Sequence, residues 1–325
     1  MKFKWNLVII KIGDNMRRRI KRKIIIILII AIILIISSIM VFKYVKHINS
    51  IPYKLEKIGY NEKEIEIITS LDNNKVNDIL NLKYEKYLVE FLESPYFIYE
   101  NLEDYINYKN KNEKLKVNEI ISLINIGRDK EFYTNIIKTD TSKENLILVN
   151  KYNSLDKEFK FDDFVDISIQ HCYGSQTLRK EAYDKFKEMF NAAKKENLTI
   201  IINSSYRSYD YQNQLWKKYL DINGEEWADS YAARAGHSEH QTGLAIDVTT
   251  YGVVKQEDFE KTEEFKWLKE NSYKFGFILR YPKEKENLTG YNYESWHYRY
   301  VGKNVAKEIY DKDITFDEYY AYYLK

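Results

Sequence analysis

Two clusters of metal-ligand residue types stand about fifty residues apart in the chain. The first, G-H-S-E-H-Q-T-G-L-A-I-D-V at residues 236–248, holds His237, His240 and Asp247. The second, Y-N-Y-E-S-W-H-Y-R-Y at residues 291–300, holds Glu294, Trp296 and His297. A catalytic zinc site takes three nitrogen or oxygen ligands and keeps a fourth position open. His240, Asp247 and His297 supply such a set. Glu294, close to the last of them, is the candidate base that takes a proton from a water activated by the metal. His237 fits a fourth ligand by spacing, but four protein ligands would close the site and make it structural. Residues 244–248 alternate as a short strand does, with Leu244, Ile246 and Val248 on a core face and Gly243, Ala245 and Asp247 on a cleft face.

These motifs carry a resemblance. S-x-H-x-x-G-x-A-x-D at Ser238 to Asp247, E-x-W-H at Glu294 to His297 and S-Y-R-S at Ser205 to Ser208 are similar to those of VanY-type zinc D,D-carboxypeptidases of the LAS metallopeptidase group. The similarity runs from about Leu146 to Val301, through F-G-F-I-L-R-Y-P at Phe275 to Pro282 and T-G-Y-N-Y-E at Thr289 to Glu294. Ala235 and Ser295 replace prolines common in relatives, which touches loop stiffness and leaves the ligand chemistry intact. The resemblance implies one zinc ion per catalytic domain and release of C-terminal D-alanine from peptidoglycan stem peptides. It also implies substrate or transition-state contacts at Arg207, Gln212 and Ser238, and it leaves His237 outside the metal shell. Trp296 is expected to wall the cleft. L,D-carboxypeptidase action and crosslink endopeptidase action occur in the same group and are not separated by the motifs. An inactive zinc-containing wall-binding protein is the rival from another class, and the presence of Glu294 argues against it.

The elements that position these residues read as follows. Leu146–Val149 reads as an entering strand, 176–194 as an amphipathic helix, and 198–203 as an apolar strand that delivers S-Y-R-S at its end. Arg207 beyond such a strand is costly to leave unpaired in a dry core and belongs at a cleft, where it can fork onto a carboxylate. A helix is expected over 208–220 and another over 262–273 closed at Gly276, then a strand over 277–281 stopped by Pro282. A charged loop over 283–293 precedes a strand over 297–301, and Thr315 with Glu318 forms a capping box for the last helix. Helices and strands mix without regular βαβ alternation, so the expected class is α+β with a mainly antiparallel sheet, as the resemblance also implies.

Upstream, residues 24–42 form an uncharged run of about 28 Å as a helix, close to a bilayer core of about 30 Å. Nine Lys/Arg precede this run and only Lys43 and Lys46 follow closely. The positive-inside rule then makes 1–23 a cytoplasmic basic N-terminus, 24–42 a transmembrane anchor of the cell membrane and the rest extracellular. A cleaved signal peptide is the alternative, but an A-x-A-like cleavage site is missing. Residues 43–145 are expected to be a helical spacer, with a cap at Asp72 or Asn73 and a helix start at Ser94-Pro95, and its tyrosines weakly suggest a wall- or partner-binding module. Residues 146–325 are expected to be the zinc peptidase domain.

Composition agrees with export. One cysteine, Cys172, excludes an intramolecular disulfide framework and a cysteine-ligated zinc. Residues 1–50 hold eleven Lys/Arg against Asp14 alone, whereas the remainder holds 40 basic and 48 acidic residues. The folded part therefore lacks the positive excess that nucleic-acid binding needs.

Overall fold

The structure, a computed structural model, describes residues 2–325, with side chains from Met16 onward. The basic side chains among residues 1–15 lie outside the described residues. Two compact units are present, Met1–Glu93 and Ser94–Lys325.

The first unit begins with helix α1 (Lys2–Ile48). Its Met16–Ile48 portion is long and apolar enough to cross a membrane, and none of its apolar stretch is buried. That matches a membrane anchor or a signal sequence. Short helices follow over Ile51–Ile58, Glu62–Thr69, Asn73–Leu80 and Leu88–Leu92. Asp72 caps the third of these, its side chain accepting from the Lys75 N–H, as the sequence predicted. Ser94-Pro95 does not start a helix: Phe97 N–H donates to the Ser94 carbonyl at 3.1 Å and closes a turn.

The second unit reaches further upstream than residue 146. Helix α2 (Val117–Asn125) buries an apolar face of Val117, Ile120, Ile121 and Ile124. Against it lies the C-terminal helix Phe316–Tyr323, where Ser122 Oγ donates to Glu318 Oε1 at 2.8 Å. Tyr96 stacks on Tyr322 with centroids 3.9 Å apart. Contacts about 200 residues apart in sequence tie the 94–125 segment into this unit, which helical periodicity alone does not reveal.

The core is a four-stranded antiparallel sheet of β1 (Ile201–Ser204), β2 (Ala245–Thr249), β3 (Phe277–Tyr281) and β4 (Glu294–Tyr300), in the order β1-β2-β4-β3. The class is α+β, as expected. One face is apolar: Leu244, Ile246 and Val248 are fully buried with Phe186, Met189, Ile202 and Phe277. Each such side chain contributes about 1.5–3 kcal/mol by burial. Helix α3 (Lys180–Lys195) supplies Phe186 and Met189 from its inner stripe. Helix α4 (Tyr209–Asn223), capped by the Ser208 side chain, starts directly after S-Y-R-S. Helices α5 (Glu225–Tyr231), α6 (Glu263–Asn271) and α7 (Phe316–Tyr323) complete the frame, with the expected capping box between Thr315 and Glu318 on α7.

Several boundaries differ from the sequence reading, among them the start of the 176–194 helix, where Thr177–Arg179 is a short strand and the helix begins at Lys180. Leu146–Val149, buried from Ile147 onward, is not a strand, because its neighbourhood finds other partners: Arg299 Nη2 donates to the Asn145 and Ile147 carbonyls, and Thr139 Oγ1 to that of Leu148. The last sheet strand begins at Glu294, three residues earlier than expected, since Glu294 still pairs with Tyr281. The charged loop contains a single helical turn, Glu286–Thr289.

Candidate metal centre and cleft

Sheet register explains how residues fifty apart in the chain converge. Asp247 on β2 is directly opposite His297 on β4 and opposite Ser204 on β1. Opposed residues of antiparallel strands point to the same face, so both ligand-type side chains stand on the sheet face away from the Leu244–Ile246–Val248 core. His240 arrives from a 3-10 turn, Glu239–Thr242, just before β2. That turn ends at Gly243 with φ +66°, where an added Cβ would lie 2.5 Å from the Phe164 ring. Glycine is required there for both conformation and space.

One ligand atom each from His240, Asp247 and His297 falls within 4.8 Å of the others, and all three residues are buried. The outward bonds fix which atoms face inward. His240 Nδ1 lies 2.6 Å from the Ser205 carbonyl and donates to it, which leaves Nε2 as a lone-pair donor, 3.4 Å from Asp247 Oδ1. His297 Nδ1 is 3.1 Å from the same Asp247 oxygen. Two imidazole nitrogens and a carboxylate oxygen around one point suit zinc. The donor set fits that ion.

Charge in this space is tightly arranged. Burial, and after it the Arg207 guanidinium, push the His240 imidazole down to about 4, and Arg207 Nη2 lies 2.7 Å from its Nε2. Burial would raise Asp247, but His240 and Arg207 outweigh it and hold the carboxyl well below its usual range. Burial lowers His297 as well, yet Asp247, Glu239 and Glu294 around it bring it up to about 9. Three carboxyl groups, Asp247, Glu239 and Glu294, thus surround one imidazole. Glu294, at the start of β4, has Oε2 3.6 Å from His297 Nδ1, and burial pushes its carboxyl up to about 8.

Arg207 closes one side. Its Nη2 donates to Asp247 Oδ2 at 2.7 Å and lies 2.7 Å from His240 Nε2, while Nη1 donates to Gln212 Oε1 at 3.0 Å. Gln212 in turn donates to the Ala233 carbonyl at 2.8 Å. Removing one partner of such a buried pair costs about 3–5 kcal/mol. These groups floor an open cleft of about 840 Å³, which Ser238, Trp296, Trp227 and Tyr231 also line. Every predicted site residue therefore meets in one place. His237 does not belong to the set: its Nδ1 lies 2.8 Å from the Asn150 carbonyl and its ring meets Tyr133 edge-on at 5.0 Å.

Sequence reasoning left Glu239, Arg280 and Arg299 without a role. All three are buried, with Glu239 3.6 Å from His297 and both arginines paired to Glu239. The available signal was an arginine inside each of two otherwise apolar or aromatic strands, F-I-L-R-Y and H-Y-R-Y, which demands a buried carboxylate somewhere near.

Comparison with known proteins places the chain. Residues 175–303 match the family VanY, D-alanyl-D-alanine carboxypeptidase. The chain is 41% identical over 204 residues to the protein YodJ of Bacillus subtilis (strain 168), covering 59% of this chain and 75% of that one. It is 34% identical over 239 residues to a D-alanyl-D-alanine carboxypeptidase of Enterococcus faecium, covering 67% of this chain and 75% of the relative. Among solved structures, the LdcB LD-carboxypeptidase is 40% identical with a TM-score of 0.55, over 59% of this chain and 92% of that chain. With the His-Asp-His centre on one sheet face, this likeness shows that the chain belongs to the VanY D-alanyl-D-alanine carboxypeptidase family, zinc peptidases of the LAS group.

Proposed function

We propose that this protein removes the C-terminal D-alanine from peptidoglycan stem peptides outside the cell, while remaining tethered by α1. The observation that carries the reading is the convergence of His240, Asp247, His297 and Glu294 at the floor of a cleft wide enough for a peptide. His240, Asp247 and His297 would hold the zinc ion, which when bound would supply polarisation of the scissile carbonyl and acidification of a water. Glu294 accepts the proton of the attacking water and delivers it to the leaving amine. The guanidinium of Arg207, rigidly forked between Asp247 and Gln212, offers donors to the developing oxyanion or to the substrate's carboxylate. Gln212 and Ser238 bind the substrate's polar backbone, and Trp296 forms an apolar wall beside it. The basic run ahead of the apolar stretch of α1 supports a cytoplasmic N-terminus and an extracellular catalytic unit.

A second reading is release of D-alanine from tetrapeptide stems, an L,D-cleavage, and the 40% identity to LdcB over 92% of that chain favours it. Incubating the zinc-loaded full chain in detergent with purified penta- and tetrapeptide muropeptides, followed by mass spectrometry, separates the two. Loss of one alanine residue from pentapeptides supports the D,D reading. Trimming of tetrapeptides alone selects the L,D reading, and no trimming of either would leave a binding role.

A further inference from the structure

The proposed chemistry leaves the carboxylate of Glu239 unused, although its surroundings are built around it. Its side chain is fully enclosed, and Oε1 accepts from Arg280 Nε at 2.8 Å and from Arg299 Nη1 at 2.9 Å. Among the described residues the other oxygen, Oε2, has no hydrogen-bond partner and lies 3.6 Å from His297 Nε2, which is likewise buried without one. Arg280 extends the chain of charges, donating from Nη1 to Asp317 Oδ2 at 2.6 Å, and Asp317 Oδ1 accepts from Asn150 Nδ2 at 2.8 Å. Two carboxylates and two guanidiniums thus stand in the interior between the metal-site face and α7.

Stability alone does not account for such a network, because well-packed apolar residues of similar volume usually serve as well or better. Direction does account for it. His297 presents Nδ1 to the ligand point, 3.1 Å from Asp247 Oδ1, and turns Nε2 towards Glu239. A cation can be held only by the neutral imidazole, which carries one proton. Placed on Nε2, that proton meets Glu239 Oε2 and leaves the Nδ1 lone pair for a cation. Placed on Nδ1, it blocks the ligand point and sets an Nε2 lone pair against a buried carboxylate, two acceptors with no proton between them.

We propose that Glu239, clamped by Arg280 and Arg299 and anchored through Arg280 to Asp317 on α7, is a positioning residue that aims His297 Nδ1 at the metal. This rests on the His-Asp-His metal reading. The far end of the relay, Asn150 and Asp317, lies outside residues 175–303 that match the family, so the C-terminal helix is a working part of the metal site. Outer partners of this kind typically change metal affinity 10–100-fold.

The test uses the full chain in detergent. Zinc affinity is measured by chelator competition for wild type, E239Q, D317N and H240A, with thermal unfolding of each. E239Q is expected to weaken zinc roughly 10–100-fold, and D317N to weaken it less but in the same direction. In zinc-loaded, 15N-histidine-labelled wild type, with its five histidines, the His297 proton is expected on Nε2, assigned by comparison with H297Q. A folded E239Q or D317N whose zinc affinity stays within twofold of wild type would overturn the proposal, as would a His297 proton on Nδ1. Should E239Q fail to fold, D317N and the wild-type spectrum still decide. Retention of zinc by H240A would instead show that the metal reading itself is wrong. Loss of zinc in H240A with no loss in E239Q would leave that reading standing and refute the relay.

Discussion

Replacing Glu294 by glutamine isolates proton transfer from everything else the site does. The side chain keeps its volume, and among the described residues its carboxylate makes no hydrogen bond, standing 3.6 Å from His297 Nδ1. Folding stability should therefore change by less than about 1 kcal/mol, within the range of substitutions that break no specific partner. The charge matters more for the metal. At roughly 4 Å and an effective dielectric near 20, one unit charge on another is worth about 4 kcal/mol before desolvation is counted. Loss of the negative charge thus weakens zinc to some degree, and kcat must be read at a zinc concentration that saturates both proteins. General acid-base groups contribute about 10²–10⁴ in rate, which is about 2.7–5.5 kcal/mol of transition-state stabilisation. Stopped release of D-alanine, followed by a coupled amino-acid assay on pentapeptide stems, should show that drop in kcat. A variant that turned over within tenfold of wild type at saturating zinc would refute the assignment of Glu294 as the base.

Other outcomes are expected elsewhere in the molecule. H240A, D247A and H297A should each lose most bound zinc by elemental analysis. H237A should keep it, because His237 is engaged with Asn150 and Tyr133 away from the ligand point. Gly243→Ala should destabilise the protein by about 1–3 kcal/mol, the cost of a strained backbone and an overpacked neighbour, since its Cβ would meet Phe164 at 2.5 Å; thermal or denaturant unfolding measures it. Protease added to intact cells should release the unit from Ser94 to Lys325, and full protection would overturn the orientation drawn from the basic N-terminal run.

Much of the sheet was legible because its strands carry local marks. Residues 244–248 alternate between core and cleft, and Gly276 and Pro282 bracket β3, so both were readable from composition alone. The ligand set was legible for a chemical reason: histidines are few in this chain, and His240 and His297 each lie near a carboxylate in sequence. What local pattern cannot carry is pairing at a distance. Leu146–Val149 has the apolar run of a strand, but whether its carbonyls meet another strand or the Arg299 side chain depends on a residue about 150 positions away. Likewise nothing in the sequence around Ser122 announces Glu318.

The same limit explains why Glu239 escaped notice between two residues that did not. Ser238 and His240 have side chains whose chemistry names a role, whereas an isolated glutamate in a sequence reads as solvated surface. Its burial becomes legible only with its counter-charges, and these sit on β3 and β4, at Arg280 and Arg299. Registers Ile278↔Arg299 and Tyr281↔Glu294 bring those two strands together, and the turn that carries His240 lays Glu239 between the two guanidiniums. A buried arginine must be answered by a carboxylate, and two of them in adjacent strands must be answered nearby. The sheet that places Asp247 beside His297 therefore also determines which carboxylate stands behind His297, and the geometry of the metal site is set from both sides of the imidazole ring.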